Sequence, residues 1–426
     1  MHTPKMARHT HPRTSRRPEF PARTGAVVLL FIAGAIAAGA FAMPNEWKAS
    51  TLAAIDAVPT SKEEPKGPVA EHVKTPEPLK GIYMSQCVVG TPSFREQLVK
   101  LIDETELNAV VIDIKDYTGK IGFQTDNPAL KDSVSDKCGA RDMRDFVKSL
   151  HEKGIYVIGR ITVFQDPHYT KLHPEQSVQS KSRPGEPWKD HKGLSFISPL
   201  AKPYWEYVVE LSKESYEVMG FDELNYDYIR WPSDGPMSDV VYPNVSRAQA
   251  IEEFWKHLRA SLKDTGLVMS ADLFGMVTTN TDDLNIGQQL ERALPHFDYI
   301  MPMMYPSHYP KGWNGLSNPN LFPYEVIQYA MSAAARRTQA TETPVPTLAG
   351  VPIASTSPQL YTKESYSPLK QRPWLQDFDY GKDYTEADIK AQVKGTYDSG
   401  LTSWIFWDPA NKYESLRRAL ANEDPL

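Results

Sequence analysis

Residues 221–232 read Phe-Asp-Glu-Leu-Asn-Tyr-Asp-Tyr-Ile-Arg-Trp-Pro. Alternate side chains of a strand share a face, so Glu223, Asn225 and Asp227 point the same way. Three polar side chains buried on one face cost free energy unless they have partners or a purpose. The stretch therefore reads as a strand whose last residues, Asn225, Asp227, Arg230 and Trp231, approach a site.

Working outward, short apolar runs rich in β-branched and aromatic residues recur on both sides. They are GIYMSQCVV (81–89), NAVVIDIKD (108–116), YVIGRITVF (156–164), LVMSADLFG (267–275), DYIMPMMY (298–305), VPTLAGVP (345–352) and TSWIFWD (402–408). Amphipathic segments lie between them, among them SFREQLVKLIDET, MRDFVKSLHEKG and AIEEFWKHLRASLKDTG, and several end on glycine as a helix C-cap does. Eight strands alternating with helices predict an α/β fold, a (β/α)8 TIM barrel spanning 81–426. A doubly wound open sheet is the alternative. It usually carries a glycine-rich phosphate turn after its first strand, and none occurs here.

A barrel of this kind keeps its chemistry at the carboxyl ends of the strands. Those ends carry Asp113, Lys115, Asp116 and Tyr117 on the second strand, and Gln165, Asp166 and His168 after the third. Asp272 lies on the fifth, Tyr305 and His308 follow the sixth, and Trp407, Asp408 and Asn411 follow the eighth.

The string FDELNYDYIRWP, together with NAVVIDIKDYTG, MSADLFGM, FDYIMPMMYPSHY and WIFWDP, resembles the glycoside hydrolases catalogued as a bacterial domain of unknown function. These are relatives of the α-amylase-like and other (β/α)8 glycosidases, and the resemblance covers essentially Lys80 to Leu420. It implies hydrolysis of glycosidic bonds. It places Asp227 where such barrels carry the nucleophile, at the end of the fourth strand, and Asp272 where they carry the acid/base, often a glutamate. Glycosidases need two carboxylates flanking the bond, one ionised and one protonated, and adjacent strands could supply them. Arg230 or a nearby lysine would keep Asp227 ionised; a buried Asp227–Arg230 pair that only shapes the strand end is the bland reading.

The remaining candidates are substrate contacts. Asp113 and Lys115 share a strand face and either meet sugar hydroxyls or form a solvated strand end. Asn225 and Arg230 flank Asp227, and His308 follows the sixth strand. Trp231, Tyr305 and Trp407 are candidate stacking platforms for pyranose faces, against ordinary packing under helices. Asp408 is either a hydroxyl ligand or the cap of a turn before Pro409.

His168 and His173 raise a metal-dependent carbohydrate deacetylase. Two ligands on one helical turn sit four apart, however, and these sit five apart after Pro167. No metal and no cofactor is expected. A barrel that binds glycan without cleaving it is the other alternative, distinguished by the absence of turnover.

Residues 25–43, GAVVLLFIAGAIAAGAFAM, carry no charge and as a helix would span roughly 28 Å, close to a hydrocarbon core. Residues 1–24 hold Lys5, Arg8, Arg13, Arg16, Arg17 and Arg23 against Glu19, so this flank should stay in the cytoplasm. The expectation is a single-pass transmembrane anchor with the body on the extracytoplasmic side. A signal peptide cut after Ala42, releasing a secreted protein, is the competing reading. Residues 44–80, with Pro59, Pro65, Pro68, Pro76 and Pro78, read as a disordered linker. With that basic flank set aside from an overall charge of −6, the body is strongly acidic, which argues against nucleic acid as a partner. The partners expected are a carbohydrate substrate and the membrane. Cys87 and Cys138, the two cysteines, are expected as free thiols, although an oxidising compartment would permit a bridge.

Overall fold

The computed structural model describes residues 70–421 and residue 426. Within them eight parallel strands close into a barrel. They are β1 (Lys80–Met84), β2 (Ala109–Lys115), β3 (Tyr156–Thr162), β4 (Glu223–Asp227), β5 (Val268–Phe274), β6 (Tyr299–Met303), β7 (Trp374–Gln376) and β8 (Trp404–Trp407). Each pairs with its neighbours in chain order. β8 then returns to β1 through Lys80↔Trp404, Gly81↔Ile405 and Ile82↔Phe406. This seam is reinforced by the Leu79 N–H donating to Ser403 Oγ at 2.9 Å and the Tyr413 hydroxyl donating to the Tyr83 carbonyl at 2.6 Å.

Strand parity separates two apolar clusters. Tyr83, Ala109, Val111, Tyr156, Ile158, Met301, Trp374 and Ile405 pack together inside the barrel. Their sequence neighbours Ile82, Val110, Ile112, Val157, Ile300 and Phe406 join the larger cluster beneath the helices. The polar face of β4 follows the inner parity. Glu223, at the amino-terminal end, accepts from Arg372 Nη1 at 2.9 Å and from the Tyr156 hydroxyl at 3.1 Å. Asn225 occupies the middle, and Asp227 reaches the carboxyl-terminal mouth. Two of the three polar residues thus have partners within the barrel core, and the third faces the mouth.

Helices follow the strands, among them Pro92–Asp103, Met143–His151, Lys202–Lys213, Arg247–Leu262, Pro323–Gln339, Glu386–Asp398 and Glu414–Leu420. Their ends are set by local chemistry. Ser246 accepts the Gln249 N–H to start one, Thr385 and Asp388 form a reciprocal capping box on another, and Gly220 at φ 88° leads the chain out toward β4. Asp222 accepts from the Val157 and Val73 N–H groups and from His151, which ties the segment from Ala70 to the amino-terminal end of the barrel.

Several expectations change. The seventh strand is Trp374–Gln376 rather than 345–352. The segment 345–352 lies in an excursion that contains a two-stranded ribbon, Glu342–Thr343 with Tyr361–Thr362. Pro344, Pro346 and Pro352 remove the donors that a central strand needs. β1 stops at Met84, and Gln86–Val89 is a helical turn. β2 shifts register between Asp113 and Lys115, so the two do not keep one parity. Cys87 and Cys138 form a disulfide, with Cα atoms 4.5 Å apart, joining the loops after β1 and β2. The two free thiols expected from sequence are therefore not what the structure contains, because adjacent strand ends bring the loops within bridging distance. The anchor or signal at 25–43 and the linker up to residue 69 lie outside the described residues. Among the described residues no helix is long and apolar enough to cross a membrane.

Candidate active site

The centre of the barrel mouth is Arg160, the inward residue of β3. Its Nη1 donates to Asp113 Oδ1 at 2.6 Å, its Nη2 to Asp227 Oδ2, and its Nε lies 3.6 Å from Asp272 Oδ2. One guanidinium thus gathers carboxylates from β2, β4 and β5. All three acids are almost fully buried. Asp227 also accepts the Tyr228 N–H at 2.5 Å. That contact is possible because Tyr228 sits at φ 52°, a strained left-handed turn that folds the backbone onto the preceding carboxylate. Asp113 accepts in addition from the Tyr83 hydroxyl.

Asp272 has a different environment. Its Oδ1 accepts from Trp374 Nε1 at 2.7 Å and Asn225 Nδ2 at 2.9 Å. Burial, followed by the charge of Asp227, pushes its carboxyl well above the usual range; Arg160 and the two donors pull it only partly back. Asp113 is raised as well, chiefly by burial, against the pull of Arg160 and Tyr83. Burial opposes the charge on Arg160, yet Asp227 and Asp113 hold it well above its ordinary value. The site therefore keeps a fixed cation among three acids, two of which, Asp272 and Asp113, burial disposes to carry a proton.

A cleft of about 400 Å³ opens above these groups, lined by Tyr83, Asp227, Asp272, Arg230, Tyr305 and Trp407 among others. The Tyr305 and Trp407 rings, 5.1 Å apart, form one wall, and His308 packs edge-on to Tyr305 at the rim. Also on the lining, Phe274 and Tyr228 flank Arg230. Gly275, on the lining, lets the chain pack closely there: a Cβ would stand 2.5 Å from the Met303 carbonyl and from the Tyr309 hydroxyl.

The structure brings Asp227, Asp272, Arg230, Tyr305, His308 and Trp407 together on this cleft. The other candidates lie elsewhere. Asp113 sits behind Tyr83 and Arg160, whose positions it holds. Asn225 lies beneath Asp272, where it donates to that carboxylate. Lys115, turned by the register shift, faces the helix layer, where its Nζ pairs with Asp166 at 2.8 Å and donates to the Thr162 carbonyl at 2.6 Å. Trp231 is enclosed in the core beside Tyr242. Asp408 caps a turn, accepting from the Ala410, Lys412 and Tyr413 N–H groups at 2.8, 2.7 and 3.0 Å. Arg160, rather than Arg230 or a lysine, supports Asp227. Sequence reasoning passed over Arg160, Tyr83, Tyr228, Phe274 and Trp374. The signal for Arg160 was available, since a lone charge in the apolar run YVIGRITVF shares the inward parity of Tyr156 and Ile158.

His168 and His173 diverge, the first toward the Asp132 carbonyl at 3.1 Å and the second over the Tyr169 ring. Among the described residues no group of three or more His, Cys, Asp or Glu side chains is arranged to hold a metal ion.

A closed parallel barrel with two buried carboxylates at its mouth is an arrangement that barrel glycosidases share. Residues 81–413 match the family model described as "Putative glycosyl hydrolase domain", and the chain belongs to that family. A comparison with curated proteins found no match. Among solved structures, the chain is similar to the PgaB (BpsB) glycoside hydrolase domain from Bordetella bronchiseptica. Identity is 16%, covering 82% of this chain and 100% of that one, with a TM-score of 0.55. It is also similar to α-L-fucosidase isoenzyme 2 from Paenibacillus thiaminolyticus, at 12% identity over 81% of this chain and 49% of that one, with a TM-score of 0.53. A hypothetical protein from Ruminiclostridium thermocellum is 32% identical over 45% of this chain and 96% of that one, with a TM-score of 0.41. At these identities the first two likenesses concern the barrel fold alone.

Proposed function

We propose that the barrel hydrolyses glycosidic bonds of an extracytoplasmic oligosaccharide or polysaccharide, with Asp227 as nucleophile and Asp272 as acid/base. The observation that carries this reading is the different surroundings of two carboxyls on one guanidinium. Asp227 has a half-buried cation and a backbone N–H to hold its negative charge, whereas burial and that same charge favour a proton on Asp272. Asp272 gives its proton to the glycosidic oxygen as the bond to the anomeric carbon breaks, and Asp227 attacks that carbon. Asp272, now ionised, takes a proton from the water that releases the sugar from Asp227. Asp227 and Asp272 approach separate nitrogens of one guanidinium, an arrangement that favours the ~5–5.5 Å carboxyl spacing of retaining enzymes over the wider inverting gap. Tyr305 and Trp407 present ring surface to the apolar face of a pyranose.

The reading includes a tether. Residues 25–43 anchor the chain in the cytoplasmic membrane, and the acidic body meets its glycan on the outer side.

The test pairs two variants. Asp227→Asn is expected to abolish hydrolysis, about 10³-fold or more, with thermal melting unchanged to within a few degrees. Asp272→Asn is expected to lose a similar factor on natural glycans but to recover in part on aryl glycosides, whose leaving group needs no proton. Recovery of Asp227→Asn instead would exchange the roles, and full activity in both folded variants would refute the site.

A further inference from the structure

Arg230 is a buried guanidinium on the wall of the cleft that feels the charges of Asp227 and Asp234 only at a distance and forms no ion pair with either. It is 6% exposed, and it donates from Nη1 to the Trp231 carbonyl at 3.0 Å. It makes no ion pair with any described residue, although it lines the same cleft as Asp227, Asp272 and Asp234. The contrast with Arg160 is sharp, because that residue's charge is shared among three acids. Among the described residues the other buried arginines have carboxylate partners, as the half-buried Arg160 does: Arg292 pairs with Glu252, and Arg372 with Glu223 at 2.9 Å. A buried charge without a counterion is costly, so a protein that keeps one has a partner for it.

We infer that Arg230 receives the carboxylate of an acidic sugar, so that the substrate of this glycosidase is a hexuronate-containing glycan. The inference rests on the glycosidase reading above and names its substrate class.

Geometry supports an anion. The guanidinium lies 4.7 Å from the Tyr228 ring centroid and 4.7 Å from that of Phe274. These two rings fix its plane and exclude water from its faces, leaving its edge as the direction in which donors point. A planar fork held this way matches a carboxylate bidentately. Charge counting favours a monoanion over a phosphate. Arg160 is committed to the acids of the barrel mouth, and desolvation lowers the imidazole of His308, leaving it neutral at pH 7. One positive charge without an ion-pair partner, that of Arg230, therefore faces the substrate. Burial lowers the pKa of Arg230, and Tyr228, Asp227 and Asp234 offset that only in part. Asp234 is exposed on the loop that follows and stands beyond ion-pair distance. Arg230 also lies three residues after the proposed nucleophile, on the loop that leaves β4 at the cleft.

The experiment uses the full-length protein and a panel of uronic-acid polysaccharides, each paired with its carboxyl-reduced form, in which –COO⁻ has become –CH₂OH. Release of reducing ends gives kcat/KM, and titration calorimetry with oligosaccharides cut from the same polymers gives binding. Wild type is expected to favour the carboxylated member of a pair at least tenfold. Arg230→Gln is expected to lose about 10²-fold on that member, mostly in KM, and little on the reduced one. Arg230→Lys should recover only part of the loss, because the fork is gone. Equal handling of both members by wild type would overturn the proposal, as would an equal loss on both in Arg230→Gln. Cleavage of neutral glycans with no carboxylated polymer bound would also overturn it, leaving the glycosidase reading in place. Binding of carboxylated but not reduced oligosaccharides without turnover would support Arg230 in this role while sinking hydrolysis.

Discussion

Trp374→Phe isolates the hydrogen bond that its indole N–H gives Asp272 at 2.7 Å. The substitution keeps a ring in place and deletes the donor. That donor favours the ionised carboxyl, so its loss raises a pKa that burial has already raised. A hydrogen bond to a charged group contributes roughly 1.5–3 kcal/mol, and 1.36 kcal/mol corresponds to one pH unit. The pKa of Asp272 should therefore climb by about one to two units. In activity, a general acid must be protonated, so the alkaline limb of the pH–rate profile should move upward by that amount. In stability, the sign follows from linkage. A carboxyl raised in the folded state contributes stability that is complete below the ordinary carboxylate range and is lost as pH rises through the folded pKa. Trp374→Phe extends that loss to higher pH. Beyond a pH-independent packing cost, it should be less stable than wild type by about 1.5–3 kcal/mol only at pH values above the wild-type folded pKa. Urea denaturation across a pH series reads this without any substrate, and the pH-dependent part should vanish in an Asp272→Asn background. A stability difference that stays constant across pH, or an alkaline limb that moves down, would refute the role given to Asp272.

Other expectations follow from single contacts. Replacing Cys87 and Cys138 by serine opens a loop closed over a sequence separation of 51, which chain entropy values at about 4 kcal/mol; calorimetric melting should show the loss, while kcat stays unchanged for the folded fraction. Lys115→Met strands Asp166 without its partner and should cost about 3–5 kcal/mol in denaturant titration, with KM unaltered because the lysine faces away from the cleft.

Much of the barrel was legible because parallel strands buried on both sides announce themselves as dense apolar runs, as in NAVVIDIKD and YVIGRITVF. β7 was not, because a three-residue strand inside RPWLQDF carries no periodicity, while the nearby VPTLAGVP has strand composition but too many prolines. Asp227 and Asp272 could be placed at the mouth because alternation along a regular strand maps residue number onto direction. The same rule misdirected Lys115, since one irregular residue in β2 reverses every side chain beyond it. Asp408 was equally readable as a ligand or a cap; the DPAN turn, with its run of backbone N–H groups, decides for the cap. The partner of Asp227 was missed because proximity in sequence favoured Arg230, whereas the barrel brings Arg160 alongside from the neighbouring strand.

The seam between β1 and β8 joins residues 324 positions apart at Leu79 and Ser403. During synthesis at ~5–20 residues per second, the β1 edge waits on the order of half a minute before its closing partner exists. An unpaired strand edge is a template for other chains, so over that interval the nascent protein depends on whatever shields its first strand. Any truncation before residue 404 would make that exposure permanent, which gives the last few turns of this chain an importance to solubility out of proportion to their length.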